Sequence, residues 1–259
     1  MVVIIPICAL ADNFIWLIHD GRYAVAVDVG DATPLLEQLD ALNLTLSAVL
    51  CTHHHADHVG GNAALAERYP VPIYGPESEK IPACTVPLHG GEMLMLPGLE
   101  MPCRVLAVPG HTLGHLAYAV ETSEGTALFC GDTLFAAGCG RIFEGTAAMM
   151  WQSLSALEAL SETTRVYGGH EYTISNLRFA RVVEPDNAAL IAREAAVQAL
   201  RDAGKSSAPS TLAEERATNP FLRVDVPAVQ AAARAYSGLP CVTALETFTA
   251  LRAWKDNFR

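Results

Sequence analysis

Short apolar runs rich in β-branched residues recur along the first two thirds of the chain, and clusters of Gly, Pro, Asn and Asp separate them. This pattern predicts strands joined by turns. The predicted strands cover 2–8, 14–19, 23–29, 47–51, 71–74, 104–108, 116–120, 127–130 and 165–167. Apolar residues at helical spacing predict helices over 32–42, 61–68 and 146–162. Strands mixed with helices favour layered α/β (α+β) packing over an all-β barrel.

The pattern changes after about residue 171, where segments rich in Ala, Leu and Arg replace the strand-like runs. Their apolar spacing predicts helices over 187–203, 226–236 and 243–254. We therefore divide the chain into a mixed α/β body over residues 1–171 and a helical segment over residues 172–259 that packs against it.

The composition disfavours several classes of protein. Of the 259 residues, 51% are hydrophobic and 17% are charged, which is typical of a sizeable core and excludes extensive disorder. The net charge of −11 disfavours nucleic acid as a partner, because affinity for a polyanion rests on basic surface. No apolar run reaches the ~18 residues of a membrane-spanning helix, so we expect no membrane association. An odd number of cysteines (7) without a Cys-x-x-Cys motif favours a reducing cytoplasm over a disulfide framework.

The charge is unevenly distributed along the chain. Residues 1–171 contain 6 basic and 19 acidic residues, whereas residues 172–259 contain 11 basic and 9 acidic residues. An anionic group on a ligand would therefore prefer the helical segment. The alternative is that these Lys and Arg side chains only cover solvated helix faces.

The segment 52–58 reads Thr-His-His-His-Ala-Asp-His and directly follows a predicted strand. In extended backbone, alternate side chains share one side, so His53 and His55 would point together. Paired imidazoles suit Zn²⁺ or another borderline divalent metal, and Asp57 and His58 could serve a second metal nearby. For this segment taken alone, a solvated loop without a metal is the alternative.

Three further predicted strands also end in residues that ligate metals. His111, Asp132 and His170 each follow a strand-like run, and neighbouring glycines allow the backbone to turn sharply there. Loops at one end of several strands are where a scaffold assembles a site. We therefore expect these three residues to converge with the segment 52–58.

Five distinctive stretches are spread nearly from end to end of the chain. They are THHHADHVGG at 52–61, PGHTLGH at 109–115, GDTLFAAGCGRIFEG at 131–145, GGHEYT at 168–173 and NPFLR at 219–223. The first contains His-x-His-x-Asp-His, the signature of the metallo-β-lactamase superfamily, in which a His, an Asp and a His follow on later loops. Within that superfamily, the set resembles the glyoxalase II (hydroxyacylglutathione hydrolase) family.

The resemblance implies a four-layer αβ/βα sandwich with a C-terminal helical domain. Residues 1–171 would form the catalytic domain and residues 172–259 the substrate-binding domain. The resemblance also implies two divalent metal ions, with zinc as the preferred metal and iron or manganese as alternatives. The implied ligands are His53, His55 and His111 for one metal, Asp57, His58 and His170 for the other, and Asp132 bridging both.

The implied activity is hydrolysis of S-(2-hydroxyacyl)glutathione to glutathione and a 2-hydroxy acid, as in methylglyoxal detoxification. The main expected substrate is S-D-lactoylglutathione, which gives D-lactate. A hydroxide bridging the metals would attack the thioester, with Asp132 shared between the metals and Asp57 orienting the hydroxide. A thiolate leaves readily, so no strong general acid is required. We expect a monomer whose partner is this small-molecule thioester.

The two glutathione carboxylates require a cationic binding site, and the resemblance places it on three parts of the chain. These positions hold Arg141, Phe143, Tyr172, Arg252 and Lys255. Many relatives carry Lys in place of Arg141, and some carry Tyr in place of Phe143, which leaves Phe143 only ring or backbone contacts. Arg252 and Lys255 lie three apart in a predicted helix and hence on one face. Surface charge without a binding role is the alternative for this pair.

Other activities fit the same scaffold less well. A mononuclear iron persulfide dioxygenase would use chiefly the first metal's histidines and Asp132, whereas the presence of His58 and His170 favours two metals. The net charge of −11 disfavours a nuclease. The apolar N-terminal stretch lacks the basic region of a secretory signal, which disfavours a β-lactamase. A structural zinc site would favour four closed, Cys-rich ligands.

Overall fold

The computed structural model describes residues 2–258, and its first part is a six-stranded sheet. The strands lie side by side in chain order: β1 (Val3–Ala9), β2 (Asn13–His19), β3 (Tyr23–Val27), β4 (Thr45–Leu50), β5 (Ile73–Pro76) and β6 (Val86–Leu88). The first three strands are antiparallel, and the later neighbours are parallel. The helix α1 (Ala32–Leu42) connects β3 to β4, and α2 (Ala56–Val59) and α3 (Asn62–Arg68) connect β4 to β5.

A second six-stranded sheet follows in the chain. The strands of the sheet itself are β7 (Met93–Leu96), β8 (Met101–Ala107), β9 (Leu116–Thr122), β10 (Gly125–Gly131), β13 (Arg165–Gly168) and β14 (Ser210–Thr211). Between β10 and β13 of this sheet lie the hairpin β11 (Leu134–Phe135) and β12 (Gly138–Cys139) and the helix α4 (Ala147–Glu158). The spatial order is β14-β13-β10-β9-β8-β7, in which only β10 and β13 are parallel.

Helices dominate the chain after residue 172. They are α5 (Thr173–Val183), α6 (Ala188–Asp202), α7 (Leu212–Thr218), α8 (Pro227–Ser237) and α9 (Ala244–Asp256). Thr211 and Thr243 begin α7 and α9 with capping boxes, in which the hydroxyl accepts from a backbone N–H that is otherwise unpaired. Within residues 2–258, no helix combines the length and apolarity needed to cross a bilayer.

Three apolar layers hold the sheets and helices together. In β2, Phe14, Trp16 and Ile18 pack against the second sheet, whereas Ile15 and Leu17 pack against α1 and α3. Burial on both faces explains why β2 is apolar at consecutive positions instead of alternating. The third layer packs α4, α8 and α9 on the outer face of the second sheet. The four-layer αβ/βα sandwich with C-terminal helices is therefore confirmed.

The main predicted strands and helices are confirmed, and the differences have physical causes. The prediction gave no helix at α5, because its Thr, Ile and Val residues have low helical propensity; burial of Leu177 and Phe179 compensates. It gave no strand at β7, where Met and Leu replace β-branched residues. The strand predicted over 23–29 ends at Val27, because Asp28 turns the chain with φ 56°.

Candidate metal centre and substrate cleft

Loops at one end of both sheets, together with the short helix α2, carry the residues predicted to bind metal. The strands β4, β8, β10 and β13 are followed by His53, His111, Asp132 and His170. Backbone hydrogen bonds join the two sheets at this end: the Leu116 N–H donates to the Thr52 oxygen, and the Phe14 N–H donates to the Gly169 oxygen, each at 2.8 Å. The fold thereby brings residues from distant parts of the sequence to one place.

Ring nitrogens of His53, His55 and His111 converge on one point. Nδ1 of His55 lies 3.1 Å from Nε2 of His53 and 3.0 Å from Nε2 of His111. Nδ1 of His111 donates to the Arg141 backbone oxygen at 2.7 Å, so its Nε2 carries the lone pair. Nδ1 of His53 donates to the Thr52 hydroxyl, whose own proton is given to a carboxylate. Three lone pairs that face one another suit a cation.

A second group consists of Asp57, His58 and His170. The two Nε2 atoms of the histidines lie 3.3 Å apart, and Oδ2 of Asp57 lies 3.6 Å from the first and 3.4 Å from the second. Nδ1 of His58 donates to Asp28 at 3.0 Å, and Nδ1 of His170 donates to Asp12 at 2.8 Å. These carboxylates fix the tautomer of each ring, so both Nε2 lone pairs face the shared point.

Asp132 lies between the two groups. Its Oδ1 is 3.3 Å from Nε2 of His58, and its Oδ2 is 3.5 Å from Nε2 of His111 and 3.4 Å from Nε2 of His170. Oδ1 is buried and has no hydrogen-bond partner among residues 2–258. Such an oxygen is costly unless it is paired. Seven imidazole and carboxylate donors with an unsatisfied buried oxygen fit a divalent cation.

The electrostatics of the centre favour a cation as well. Burial lowers the pKa of the His53 ring well below its usual value, which leaves the ring neutral at neutral pH. Burial also opposes protonation of His58, but the carboxylates of Asp132 and Asp28 raise its pKa to about 9. Burial would raise the pKa of Asp132, yet the His58 ring holds it well below its usual range. A divalent cation would therefore displace a proton from His58.

Some side chains that hold the predicted ligands in place are not among the residues predicted from the sequence pattern. Besides Asp12 and Asp28, they are Asn13 and Glu79. The amide of Asn13 donates to Oδ2 of Asp57 at 3.0 Å. Glu79 accepts from the backbone N–H groups of His54 and Gly114 at 2.7 and 2.9 Å, and so links two ligand-bearing loops. The sequence could have indicated Asp28, because it directly follows β3 just as the predicted ligands follow their strands. Asp12 and Asn13 show only as a polar break in an apolar run.

Two further histidines lie beside the centre. His54 contacts Glu144 with its Nε2 at 2.8 Å. It lies between the converging His53 and His55, although this part of the chain forms bends and not a strand. His115 is buried and accepts from the Asp132 N–H at 3.2 Å, so it supports the backbone at the central carboxylate.

A cleft of about 430 Å³ opens beside the centre, between the loop after β10 and the C-terminal helices. Its lining includes His111, Asp132, Phe135, Cys139, Gly140, Arg141, Phe143, Tyr172, Ser175, Asn176, Arg252, Lys255 and Phe258. All five residues predicted to bind substrate thus border one cavity that reaches the metal centre. This volume falls within the range of small-molecule sites.

The aromatic residues of the cleft sit next to the ligands. The Tyr172 ring stacks on His170 with centroids 4.6 Å apart and planes within 5°. Phe143 is 62% exposed, and its ring meets His55 and His111 edge-on at 5.6 and 5.2 Å. Both rings therefore form apolar walls at the entrance to the centre.

The three cations of the cleft differ in their freedom to bind an anion. Arg141 is exposed with its Nε 3.5 Å from Oδ1 of Asp256, and Lys255 is half-buried with its Nζ 3.2 Å from the Ser175 hydroxyl. Burial, together with the charge of Arg252, lowers the pKa of Lys255 to about 8. Arg252 is only 5% exposed, and its Nη1 donates to the Cys139 oxygen at 2.8 Å. Arg252 is therefore already engaged with the cleft wall.

Comparisons with known proteins agree with this arrangement. Residues 11–170 match the family model of the metallo-beta-lactamase superfamily, and residues 171–258 match that of the hydroxyacylglutathione hydrolase C-terminus. The chain is 48% identical over 259 residues to the hydroxyacylglutathione hydrolase of Nitrosomonas europaea, covering 100% of this chain and 97% of that protein. It is 52% identical over 262 residues to that of Cupriavidus taiwanensis, covering 98% of each.

Solved structures show the same fold. The structure of ETHE1 from Myxococcus xanthus matches with a TM-score of 0.67 at 23% identity, over 96% of this chain and 89% of that one. The protein TTHA1623 in a di-iron-bound form matches with a TM-score of 0.60 at 26% identity, over 84% of this chain and 100% of that one. Sequence identity over its full length, together with the fold, shows that the chain belongs to the hydroxyacylglutathione hydrolase family of the metallo-β-lactamase superfamily.

Proposed function

We propose that this enzyme hydrolyses S-(2-hydroxyacyl)glutathione thioesters. Its main substrate would be S-D-lactoylglutathione, which gives glutathione and D-lactate. The observation that carries the proposal is the position of Asp132, whose carboxylate faces two separate groups of metal-ligating atoms at the mouth of a cleft lined by three cationic side chains. The names of the full-length relatives support the same reaction. The combination suits a hydrolase that acts on an anionic thioester.

We further propose that the centre holds two divalent cations. Zinc is the preferred assignment, and iron or manganese are the alternatives. His53, His55 and His111 would hold one, Asp57, His58 and His170 the other, and Asp132 both. The di-iron form of the structural relative supports a pair of metals. When bound, such a pair lowers the pKa of water towards ~7 and polarises the substrate carbonyl, which makes hydroxide available at neutral pH.

Asp57 is placed to orient the attacking water. Burial would raise the pKa of Asp57, but the hydrogen bond from Asn13 and the charge of His58 lower it below its usual value. The carboxylate is therefore ionised at neutral pH and accepts a hydrogen bond. Asn13 holds its Oδ2 in a fixed position, which limits the directions from which water can approach.

The substrate would bind with its acyl group at the centre and its glutathione carboxylates along the cleft. Arg141 and Lys255 supply positive charge, and Tyr172 and Phe143 flank the path of the thioester. Arg252 would add its charge from the wall. We propose residues 172–259 as the substrate-binding domain on this basis, with the catalytic domain over residues 1–171. The thiolate product leaves without a strong acid.

The enzyme would work as a monomer in the cytoplasm on this small molecule, without nucleic acid or a membrane as partner. All seven cysteines are free, which supports a reducing compartment. The net charge of −11 supports the absence of a polyanion partner.

Substrate binding should depend on pH through Lys255. Its ammonium is charged below a pKa of about 8 and neutral above it, so attraction for a carboxylate is complete at lower pH and is lost as the pH rises. We expect the Kd of S-methylglutathione, a thioether that is not hydrolysed, to rise about fivefold between about pH 7 and about pH 9.5. Isothermal titration calorimetry measures this constant directly.

A charge-keeping variant controls for the titration of the ligand itself. Lys255→Arg stays protonated throughout this range, so its Kd should follow only the ligand, whereas Lys80→Arg should behave as the wild type. Equal pH dependence in Lys255→Arg and wild type would show that titration of Lys255 does not control substrate binding.

The proposed reaction is tested by release of thiol from S-D-lactoylglutathione, with D-lactate measured in parallel. We expect the two products in equal amounts and loss of activity after chelation. A parallel assay with glutathione persulfide in an oxygen electrode separates the hydrolase from a dioxygenase. Oxygen consumption with persulfide, without hydrolysis of the thioester, would refute the proposal.

A further inference from the structure

The loop between Asp132 and Arg141 is held by side chains from the helical segment. The Asn176 amide donates to the Ala136 oxygen at 3.1 Å, and Glu215 accepts from the Ala137 N–H at 2.8 Å. The Asn219 amide donates to the Gly138 oxygen at 2.9 Å and to the Phe135 oxygen at 3.3 Å. With Arg252 on Cys139, every residue from 135 to 139 has one main-chain group bound by a helical-segment side chain.

The geometry of this loop needs such support. Ala137 lies at the tip of the hairpin between β11 and β12 with φ 55°, a left-handed conformation that is unfavourable for an alanine. Glu215 meets its N–H with a carboxylate oxygen, a charge-assisted bond that is stronger than a neutral one. The same carboxylate accepts from Asn219 and pairs with Arg193. A strained turn is thus fixed by a buried network.

The loop has two connections to the site. Phe135, Cys139 and Gly140 line the cleft, so the position of the hairpin sets the shape of its wall. Arg141 follows directly, and its backbone oxygen accepts from Nδ1 of His111 at 2.7 Å. Movement of the loop would therefore change both the cleft and the orientation of one metal-binding ring.

We propose that Glu215 and Asn219, with Asn176, are positioning residues that fix the hairpin 134–139 as the wall against which the glutathione part of the substrate binds. The proposal rests on the proposed function for the identity of the substrate. Glu215 and Asn219 do not line the cleft, so they act through the loop and not by touching the ligand. The motif 219–223, which the sequence analysis singled out, acquires a role through its first residue.

A buried ion pair is weak evidence for stability, because desolvation offsets much of the attraction. Glu215 is fully buried and its side chain ends on the backbone of an active-site loop, where an apolar side chain would leave the Ala137 N–H unpaired. The network therefore specifies a loop conformation more than it adds to the free energy of unfolding.

The test compares Asn219→Ala and Glu215→Gln with Asn187→Ala. Asn187 also lies in the helical segment, donates to a backbone oxygen and accepts a backbone N–H, but it does not contact the hairpin. The substrates are S-D-lactoylglutathione and the lactoyl thioester of N-acetylcysteamine, which lacks both glutathione carboxylates. We expect kcat/KM for the glutathione thioester to fall about tenfold more than that for the small thioester, mainly through KM. Asn187→Ala should keep the wild-type ratio.

A second readout needs no substrate. Cys139 lies in the hairpin and is 5% exposed, so its alkylation by iodoacetamide, followed by peptide mass spectrometry, reports opening of the loop. We expect Cys139 to be alkylated about tenfold faster in Asn219→Ala and Glu215→Gln than in the wild type. The alkylation rate of buried Cys241 should stay unchanged. Unchanged Cys139 labelling with an unchanged substrate ratio would overturn the proposal, as would equal losses on both thioesters. If the wild type hydrolyses no glutathione thioester, the proposed function fails, and the labelling still decides whether the network holds the loop.

Discussion

Asp132→Ala is expected to remove bound metal and activity together. Its carboxylate faces both groups of ligands, so its loss leaves each group with three donors and removes the charge that lies between them. We expect kcat/KM to fall by about 10³-fold or more, which corresponds to about 4 kcal/mol of transition-state stabilisation. Elemental analysis of the purified protein, together with thiol release, measures both effects.

Asp20→Ala is the matched control for this variant. Asp20 is an exposed carboxylate that accepts from backbone N–H groups in a turn, so its loss should leave metal content and kcat/KM unchanged. An Asp132→Ala protein that retains two metals per chain would contradict the bridging role, whatever its residual activity.

His170→Ala should produce a protein with about one metal ion per chain. Without this ring, the second group keeps only Asp57 and His58, besides the shared Asp132. The three histidines of the first group stay intact. We expect kcat/KM to fall about 10²-fold, because one cation no longer shares in activating the water. Metal content by elemental analysis distinguishes this partial loss from the complete loss expected for Asp132→Ala.

His89→Ala serves as the control, because His89 is exposed and pairs with Glu77 away from the centre. Two metals and full activity in His170→Ala would show that His170 is not needed to hold the second metal. A wild-type protein that holds only one metal per chain would instead indicate a mononuclear centre built on the first three histidines and Asp132, as in the dioxygenase alternative.

The convergence of the predicted metal-binding residues can be anticipated from the sequence because they obey a positional rule. His53, His111, Asp132 and His170 each follow a strand whose apolar pattern is visible, and strands of layered sheets end near one another. Asp12 lies in the short turn between β1 and β2, and Asn13 is the first residue of β2, so the two residues show only as a polar break within an apolar run. Their partners, His170 and Asp57, come from distant loops, and no pattern around either residue indicates that contact.

The cleft is less predictable than the metal centre. The spacing of Arg252 and Lys255 places both on one face of α9, but it does not reveal that Arg252 is buried against the oxygen of Cys139. Likewise, Glu215 and Asn219 act on backbone groups some 80 residues away, where any sequence offers the same N–H and C=O groups. Contacts to main chain leave no trace in the pattern of side chains.

The central claim is that two cations held by one set of ligands perform thioester hydrolysis. Its most direct test is to remove all metal with a chelator and then add Zn²⁺, Fe²⁺ or Mn²⁺ stepwise while following thiol release from S-D-lactoylglutathione. We expect an inactive apoprotein whose activity rises until two equivalents per chain are bound. Activity that survives complete metal removal, or that is full at one equivalent, would contradict it.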